Sequence, residues 1–239
     1  MNLRSFQALT FDCYGTLIDW ERGITDALRP WADRHSLDAD DEAILTLYAE
    51  SEAREEATAP GKRYPEVLMA VFRDIARQIG CGVSPEELEA FSLSVCDWPA
   101  FPDSADALRY LEQHHRLVIV SNVDRASFEH SKEKLGVSFD LVVTAEDVGS
   151  YKPHPRHFNV ALGRLREMGV ERRGVLHVAQ SLYHDHVPAK SLGLQTVWIN
   201  RRAGKTGTGA TPRVDLDIQP DLVVNDMADL VAIHQAEGM

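Results

Sequence analysis

The most informative segment of the chain is Ala8-Leu9-Thr10-Phe11-Asp12-Cys13-Tyr14-Gly15-Thr16-Leu17-Ile18-Asp19. Its apolar, β-prone beginning predicts a buried strand that ends at Phe11, and Gly15 with Thr16 predicts a turn directly afterwards. Asp12 is therefore expected at the carboxyl end of a strand, the edge of an open parallel sheet at which ligands bind. A carboxylate in that position either acts as a nucleophile or caps the segment that follows the strand.

The rest of the chain divides into a helical part and a part in which strands and helices alternate. Between residues 19 and 99, apolar residues recur at three- and four-residue steps, which predicts helices and no strand. One helix is expected to begin after Ser84, because Pro85 and Glu87 complete a capping box there. From residue 100 onward, short apolar runs predict strands at residues 117–122, 139–144, 174–179, 194–200 and 221–224.

This alternation is typical of an α/β protein with a Rossmann-like, doubly wound parallel sheet. We expect residues 1–18 and 100–239 to form that core. Residues 19–99 are expected to form an α-helical cap subdomain, inserted after the first strand.

Composition limits the function classes. The 239 residues are 44% hydrophobic, enough for a large core, and carry a formal net charge of −12. That charge disfavours nucleic-acid and anionic-membrane partners, and an anionic substrate would need a local basic pocket. Residues 1–10 run directly into the first predicted strand, so we expect no leader. No apolar run approaches 18 residues, and the three cysteines have neither metal nor disulfide spacing. We therefore expect a cytoplasmic protein.

Polar residues follow four of the predicted strands. Because the carboxyl ends of parallel strands share one edge of a sheet, we expect these residues to lie together. They are Asp12, Ser121 with Asn122, Lys152, and the segment from Gln180 to Asp185.

These residues form four short motifs that, in this order, resemble those of the haloacid dehalogenase superfamily and in particular its type II 2-haloacid dehalogenase branch. The resemblance covers nearly the whole chain, core and cap alike. The motifs are Asp12-Cys13-Tyr14-Gly15-Thr16-Leu17, then Val120-Ser121-Asn122, then Tyr151-Lys152-Pro153, and finally Asp185 followed by Pro188-Ala189-Lys190-Ser191-Leu192-Gly193.

Two departures from the phosphatases of this superfamily bear on the reaction. Those enzymes carry a second aspartate two residues after the nucleophile, which protonates the departing alcohol, whereas this chain has Tyr14. Their fourth motif usually opens with Gly-Asp, which supplies a magnesium ligand, whereas this chain has Ala179-Gln180. An alkoxide needs a proton to leave and a halide does not, and Mg²⁺ prefers carboxylate oxygens. Both departures favour displacement at carbon without a metal or other cofactor.

The resemblance implies that Asp12 attacks C2 of a small 2-substituted carboxylic acid, and that water then hydrolyses the aspartyl ester to give a 2-hydroxy acid. It implies that Lys152 keeps Asp12 ionised and offsets the charge of the substrate, and that Thr16 orients the nucleophile. Asp185 is expected to hold Lys152 and to activate water. The expected substrate-binding residues are Ser121, Asn122, Tyr14, Arg54 and Gln180.

The leaving-group side is less clearly defined. Family dehalogenases receive the halide on an arginine of the cap, for which Arg54 and Arg63 are candidates, and Trp20, Tyr64 and Trp98 either line the pocket or belong to the cap core. Well-studied relatives have Ser, Asn and Tyr where this chain has Gln180, Leu182 and Phe158. The leaving group is therefore open: chloride, fluoride, or the ring nitrogen of a strained amino acid such as azetidine-2-carboxylate. A nitrogen needs a proton, for which Tyr14, His184 and His186 are candidates.

Three functional hypotheses remain open at this stage. The first is the metal-independent C2-displacing hydrolase, the second a magnesium phosphatase of the same superfamily, and the third a non-catalytic scaffold that binds a small anion or a partner. The run His184-Asp185-His186 does not favour a metal site, because neighbouring side chains on a helix diverge by about 100°. The resemblance also implies a possible homodimer, formed through the helical cap.

Overall fold

A six-stranded parallel sheet forms the centre of the molecule, in the order β3-β2-β1-β4-β5-β6. The computed structural model describes residues 1–213 and 217–238. The strands are β1 (Ala8–Phe11), β2 (Arg116–Ser121), β3 (Leu141–Thr144), β4 (Val175–Ala179), β5 (Gln195–Ile199) and β6 (Leu222–Val224). Each apolar run that predicts a strand contains one, so the predicted α/β fold with a parallel sheet is confirmed.

The helices of the described residues cover both faces of the sheet or lie in the segment between β1 and β2, which is called the cap below. They are α1 (Trp20–Arg34), α2 (Asp41–Thr58), α3 (Tyr64–Ile79), α4 (Pro85–Leu93), α5 (Ser104–Leu111), α6 (Arg125–Leu135), α7 (Ala145–Val148), α8 (Arg156–Glu167), α9 (Val187–Ser191) and α10 (Met227–Ala236). A π-helical turn, Leu182–His186, precedes α9.

The central strands are buried on both sides, which explains why they are almost continuously apolar. On one face, Leu9 and Phe11 pack in a large core that also includes residues of α5, α6, α10 and the cap. On the other face, Ala8 and Val118 pack with Phe158 of α8. Helices on both faces of a parallel sheet are the arrangement expected of a doubly wound core.

Four helices, α1 to α4, lie between β1 and β2 along the chain. The chain enters and leaves this helical segment side by side, since Ile18 and Ala100 form an antiparallel bridge. The helix that begins after Ser84 has the predicted capping box: Glu87 N donates to Ser84 Oγ at 3.2 Å, and Ser84 N donates to Glu87 Oε2 at 2.7 Å. These four helices occupy the range that the sequence assigns to a cap.

Gly15 makes the turn after β1 possible. Its φ of +93° lies in the left-handed region that favours glycine, and a Cβ there would lie 2.9 Å from Trp20 Nε1. The turn can therefore close against α1 only with glycine at this position. Within residues 1–213 and 217–238, the helices are too short or too polar to cross a membrane.

Candidate active site

Asp12 directly follows β1 at the carboxyl edge of the sheet, and its side chain is buried. Thr16 Oγ1 donates a hydrogen bond of 2.7 Å to Asp12 Oδ2. The backbone N–H of Gln180 donates to the same hydroxyl at 2.9 Å. Because Thr16 Oγ1 accepts from Gln180, its own proton is directed at the carboxylate, and the carboxylate is held in one orientation.

Lys152 joins the two aspartates of the site. Its Nζ donates to Asp12 Oδ1 at 2.9 Å, to Asp185 Oδ1 at 2.7 Å and to the carbonyl of Val120 at 2.9 Å. An ammonium has three donors, so all of them are used. Burial alone would lower the pKa of Lys152, but the two carboxylates raise that pKa above its ordinary value. Lys152 is therefore a permanent positive charge beside Asp12.

The two aspartates differ in their electrostatics. Burial raises the pKa of Asp12 above its ordinary value, while Lys152 and the Thr16 hydroxyl oppose that rise. Burial also acts to raise the pKa of Asp185, but Lys152 and His177 hold that pKa well below its usual range. Asp185 is thus the fixed counter-charge of Lys152, whereas Asp12 carries the more basic carboxylate, the property that a nucleophile needs.

His177, which the sequence analysis did not single out, extends this network into the sheet. Its Nε2 lies 3.0 Å from Asp185 Oδ1, and its Nδ1 lies 2.9 Å from Thr10 Oγ1. Since a carboxylate only accepts, Nε2 carries the ring proton and Nδ1 accepts from the Thr10 hydroxyl in the neutral ring. The sequence signal that could have identified His177 is that it is the one polar residue in the otherwise apolar strand β4.

A small cavity of about 30 Å³ separates these residues from the cap. That volume holds roughly two water molecules. The core side contributes the charged groups already described together with Tyr14, Ser121, Asn122, Val123, Ser181 and His184. The cap side contributes Trp20, Glu52, Glu56 and Tyr64. A larger open cleft of about 610 Å³ adjoins the cavity, since Glu56 and Lys152 line both.

Glu52 and Glu56 are the charged residues of this cavity that sequence reasoning missed. Both belong to α2 and are buried. Burial raises the pKa of Glu52 to about 7, although hydrogen bonds from the hydroxyls of Tyr64 and Tyr48 act in the opposite direction. Burial and the nearby Glu52 raise the pKa of Glu56 well above its ordinary value. The cap therefore presents two weakly acidic carboxyl groups to the site.

The raised pKa of Glu52 predicts a pH-dependent stability. Between its ordinary pKa of 4.5 and about 7, the folded chain binds more protons at Glu52 than the unfolded chain does. The free energy of unfolding is therefore expected to fall as pH rises through this window. In Glu52→Gln, which keeps an acceptor for Tyr48 and Tyr64, that fall is expected to be smaller. Urea unfolding of both proteins at about pH 5 and about pH 8 measures it, and parallel changes in the two proteins would contradict the assignment.

The structure brings the predicted substrate-binding residues Ser121 and Asn122 to the cavity. Ser121 Oγ is buried and has no hydrogen-bond partner among the described residues. Both polar atoms of the Asn122 side chain form hydrogen bonds: Oδ1 accepts from Lys152 N at 2.7 Å, and Nδ2 donates to Glu56 Oε1 at 3.1 Å. Ser121 is therefore the free donor, and Asn122 links the core to the cap.

Three other predicted substrate contacts lie elsewhere or face away. The Tyr14 ring lines the cavity, but its hydroxyl lies 2.8 Å from Ser131 Oγ in the core. The Gln180 side chain accepts from Thr211 at 3.2 Å and is not part of the cavity wall. Arg54 is exposed on α2, where it pairs with Asp74 at 2.6 Å. The structure therefore does not bring the side chain of Gln180 or that of Arg54 to the cavity wall.

The remaining cap and histidine candidates also separate into two groups. Trp20, Tyr64 and His184 line the cavity. Trp98 packs against the Tyr14 ring in the cap core, with ring centroids 5.7 Å apart. Outside the cavity wall lie the exposed Arg63, His186, whose Nε2 lies 3.0 Å from the Ala179 carbonyl, and the buried Phe158, which packs on His177.

The donor set does not fit a divalent metal. Within the described ranges, no three His, Cys, Asp or Glu side chains gather as metal ligands. Asp12 and Asp185 both direct Oδ1 at the Lys152 ammonium, so a cation already lies between them. Gln180, which follows β4 where the phosphatases supply a ligand, has its side chain outside the cavity wall. We derive no step through a metal.

Comparison with known proteins places this geometry in a family. A model of the haloacid dehalogenase-like hydrolase family matches residues 6–182. An (S)-2-haloacid dehalogenase of Pseudomonas fluorescens is 25% identical over 233 residues, 95% of this chain and 96% of that protein. A ribulose-1,5-bisphosphate 5-phosphatase of Halopiger xanaduensis is 27% identical over 157 residues, 62% of this chain and 64% of that protein.

A solved structure gives the same result for the fold. L-2-haloacid dehalogenase from Xanthobacter autotrophicus, with chloropropionic acid covalently bound, superposes with a TM-score of 0.76 at 19% identity and covers 98% of this chain and 99% of that one. The family model covers most of the chain, including Asp12, Ser121 and Lys152. The chain therefore belongs to the haloacid dehalogenase-like hydrolase family.

Proposed function

We propose that this protein is a metal-independent hydrolase that displaces the C2 substituent of a small 2-substituted carboxylic acid through an ester on Asp12. The strongest argument for this proposal is how the Asp12 carboxylate is held. Thr16 donates a hydrogen bond to one of its oxygens at 2.7 Å, and Lys152 donates to the other at 2.9 Å. Such a carboxylate is oriented and beside a positive charge, which favours nucleophilic attack.

The first step forms a bond between an oxygen of Asp12 and C2 of the substrate. The bond from C2 to its substituent breaks, and the electron pair leaves with the substituent. Lys152 offsets the negative charge that the substrate carboxylate brings, and the free hydroxyl of Ser121 donates a hydrogen bond to that carboxylate. Attack from the side opposite the leaving group inverts C2.

In the second step, water attacks the carbonyl carbon of the Asp12 ester. The bond between that carbon and the oxygen on C2 breaks, which releases a 2-hydroxy acid and restores the carboxylate. Asp185 lines the cavity, and its Oδ2 has no hydrogen-bond partner among the residues that the structure describes. We assign this oxygen to orienting the water, since the low pKa of Asp185 makes it a weak base.

The second candidate is the phosphatase reaction, which one relative of this chain carries out. Phosphoryl transfer to Asp12 would need an acid for the departing alcohol, and the Tyr14 hydroxyl is committed to Ser131 at 2.8 Å. Burial also raises the pKa of Tyr14 well above its ordinary value, so it is a poor acid. These observations favour displacement at carbon.

Turnover of a small panel after EDTA treatment tests the proposal. The panel contains both 2-chloropropionate enantiomers, fluoroacetate, azetidine-2-carboxylate and p-nitrophenyl phosphate. We expect metal-free release of halide or ring-opened product from one of the carboxylic acids, and an unchanged rate when Mg²⁺ is added. Phosphate release that returns only with Mg²⁺ would instead support the phosphatase.

A further inference from the structure

The wall of the cavity that faces Asp12 is acidic and aromatic. Its cap side consists of Glu52, Glu56, Trp20 and Tyr64. Lys152 is the one cationic side chain that lines the cavity in the described part of the chain, and its three donors are already used on the core side. A group that arrives from C2 toward the cap therefore meets carboxyl groups and aromatic rings.

Both acids are held in place by neighbours on other elements. Glu52 Oε1 accepts from Tyr64 of α3 at 2.7 Å and from Tyr48 at 2.8 Å. Glu56 Oε1 accepts from Asn122 of the core at 3.1 Å. Residues four apart on a helix lie on the same face, so the two carboxyl groups of α2 address the cavity together. This is a fixed arrangement and not a solvated charged surface.

One further polar group of the cavity lacks a partner. His184 lines the cavity, is buried, and its Nε2 has no hydrogen-bond partner among residues 1–213 and 217–238. The same nitrogen lies 3.8 Å from Glu56 Oε2, beyond a normal hydrogen bond. Burial lowers the pKa of His184 to about 4, so the ring is neutral. Among the residues that the structure describes, Glu52 and Glu56 therefore face no positively charged side chain of the cavity other than Lys152.

An expelled halide fits this wall poorly. A halide is an anion, and the glutamates offer it no positive charge: each carboxyl group that ionises would repel it at short range, where the low dielectric strengthens the interaction. The arginines expected to receive it, Arg54 and Arg63, are exposed outside the cavity. A protonated nitrogen fits the same wall well, because its charge opposes the rise in the pKa of the two glutamates, pairs with the carboxylates that result, and is attracted by the aromatic faces.

We propose that Glu52 and Glu56 form a subsite for a protonated nitrogen on C2, so that the substrate is a small zwitterionic amino acid with a strained carbon–nitrogen bond. The inference rests on the proposed function, since it names the leaving group of the same displacement. The strain is required because an amine leaves carbon reluctantly unless a small ring opens.

The chemistry balances without another reactant. Asp12 forms a bond to C2, the C2–nitrogen bond breaks, and its electron pair goes to the nitrogen, which becomes a neutral amine and keeps its hydrogens. Water then hydrolyses the ester as above. The carboxyl pair keeps the nitrogen protonated until the bond breaks, against the burial that would otherwise lower the pKa of an ammonium. For azetidine-2-carboxylate the product is 4-amino-2-hydroxybutanoate.

The test compares two substrates in four proteins: wild type, Glu52→Gln, Glu56→Gln and the control Glu50→Gln, an exposed residue of the same helix. One substrate is L-azetidine-2-carboxylate, and the other is (S)-2-chloropropionate, which has no nitrogen. We expect wild type and the control to open the ring. Each of the other two variants is expected to lose kcat/KM for ring opening by about 100-fold or more, and to lose at least about tenfold less on chloropropionate.

The outcomes separate this inference from the proposed function. Wild type that releases chloride from chloropropionate but leaves the azetidine ring intact overturns the inference and leaves the displacement at C2 standing. Equal losses on both substrates, or no loss in either glutamate variant, also overturn the inference. Wild type that turns over neither substrate contradicts the proposed function and the inference together.

A binding measurement covers the case in which the glutamate variants do not fold. Asp12→Asn protein is heated with L-azetidine-2-carboxylate or with cyclobutanecarboxylate, which has the same ring size and no nitrogen. A ligand that binds only the folded state stabilises it by RT ln(1 + [L]/Kd) and therefore raises Tm. We expect a clear rise with the zwitterion and a smaller one, or none, with the carbocycle; equal rises would overturn the subsite.

Discussion

Asp12→Asn is expected to lower kcat by at least about 1,000-fold, because the amide cannot form the ester that carries the reaction. The change keeps the size of the side chain and an oxygen that accepts from Thr16, whose hydroxyl lies 2.7 Å from Asp12 Oδ2. The fold should therefore persist. Initial rates on whichever panel substrate the wild type uses, with circular dichroism of both proteins, measure the effect.

The control for this substitution is Asp26→Asn. Asp26 is an exposed residue of α1 that pairs with Arg22 at 3.4 Å. It undergoes the same chemical change away from the cavity and is expected to keep wild-type kcat. A folded Asp12→Asn protein with more than about a tenth of the wild-type rate would show that the reaction does not depend on this carboxylate.

Lys152→Met is expected to abolish turnover and also to destabilise the fold by about 3–5 kcal/mol. It removes the ammonium from between Asp12 and Asp185 and leaves two buried carboxylates without compensation. Because the apolar replacement has a similar length, the expected destabilisation comes from the lost charge and not from lost volume. Denaturant unfolding measures the stability, and the panel assay measures the turnover.

A second substitution shows whether charge is the cause. Adding Asp185→Asn to Lys152→Met removes one uncompensated carboxylate, and we expect it to restore part of the lost stability without restoring turnover. Lys190→Met, which removes a partly exposed lysine paired with Asp221 at 2.7 Å, is the matched control. Its effect on stability is expected to be at most about 1 kcal/mol. A Lys152→Met protein as stable as this control would contradict the assigned charge balance.

The core half of the site was predictable from sequence because its residues stand at or shortly beyond strand ends: Asp12 directly follows β1, Ser121 ends β2, and Lys152 follows β3 after the single turn of α7. Once the apolar run before Asp12 was recognised as a strand, parallel pairing placed its end beside those of β2 and β4. The positions of Ser121 and Lys152 follow from the same rule. The local sequence pattern was therefore enough to find the strands, and the parallel order of the strands then placed these residues together.

The cap half of the site was not predictable in the same way. Glu52 and Glu56 stand in a charged stretch of α2 beside Glu50 and Glu55, and composition does not distinguish the buried pair from the others. A weak signal exists, since Glu52 and Glu56 continue the apolar stripe of Tyr48 at four-residue steps. Which stripe faces the core depends on how the cap packs, and that is a long-range property.

The geometry of α2 also explains why Arg54 lies outside the cavity, although the sequence made it a candidate for the site. Arg54 is two residues from Glu52 and two from Glu56, so it points about 200° around the helix from each. With both acids turned toward Asp12, Arg54 must face solvent, where it pairs with Asp74 at 2.6 Å. The leaving-group side of this protein therefore differs in charge from the one that the resemblance implied.

Isotope labelling of Asp12 tests the central claim most directly. Enzyme in excess over a substrate identified from the panel is allowed a single turnover in water enriched in oxygen-18, and the product and the peptide that contains Asp12 are weighed by mass spectrometry. Attack by Asp12 followed by hydrolysis of its ester predicts that the new hydroxyl of the product carries ordinary oxygen and that Asp12 acquires the label. Label in the product hydroxyl, with Asp12 unlabelled, would mean that water attacks C2 directly and would contradict the account.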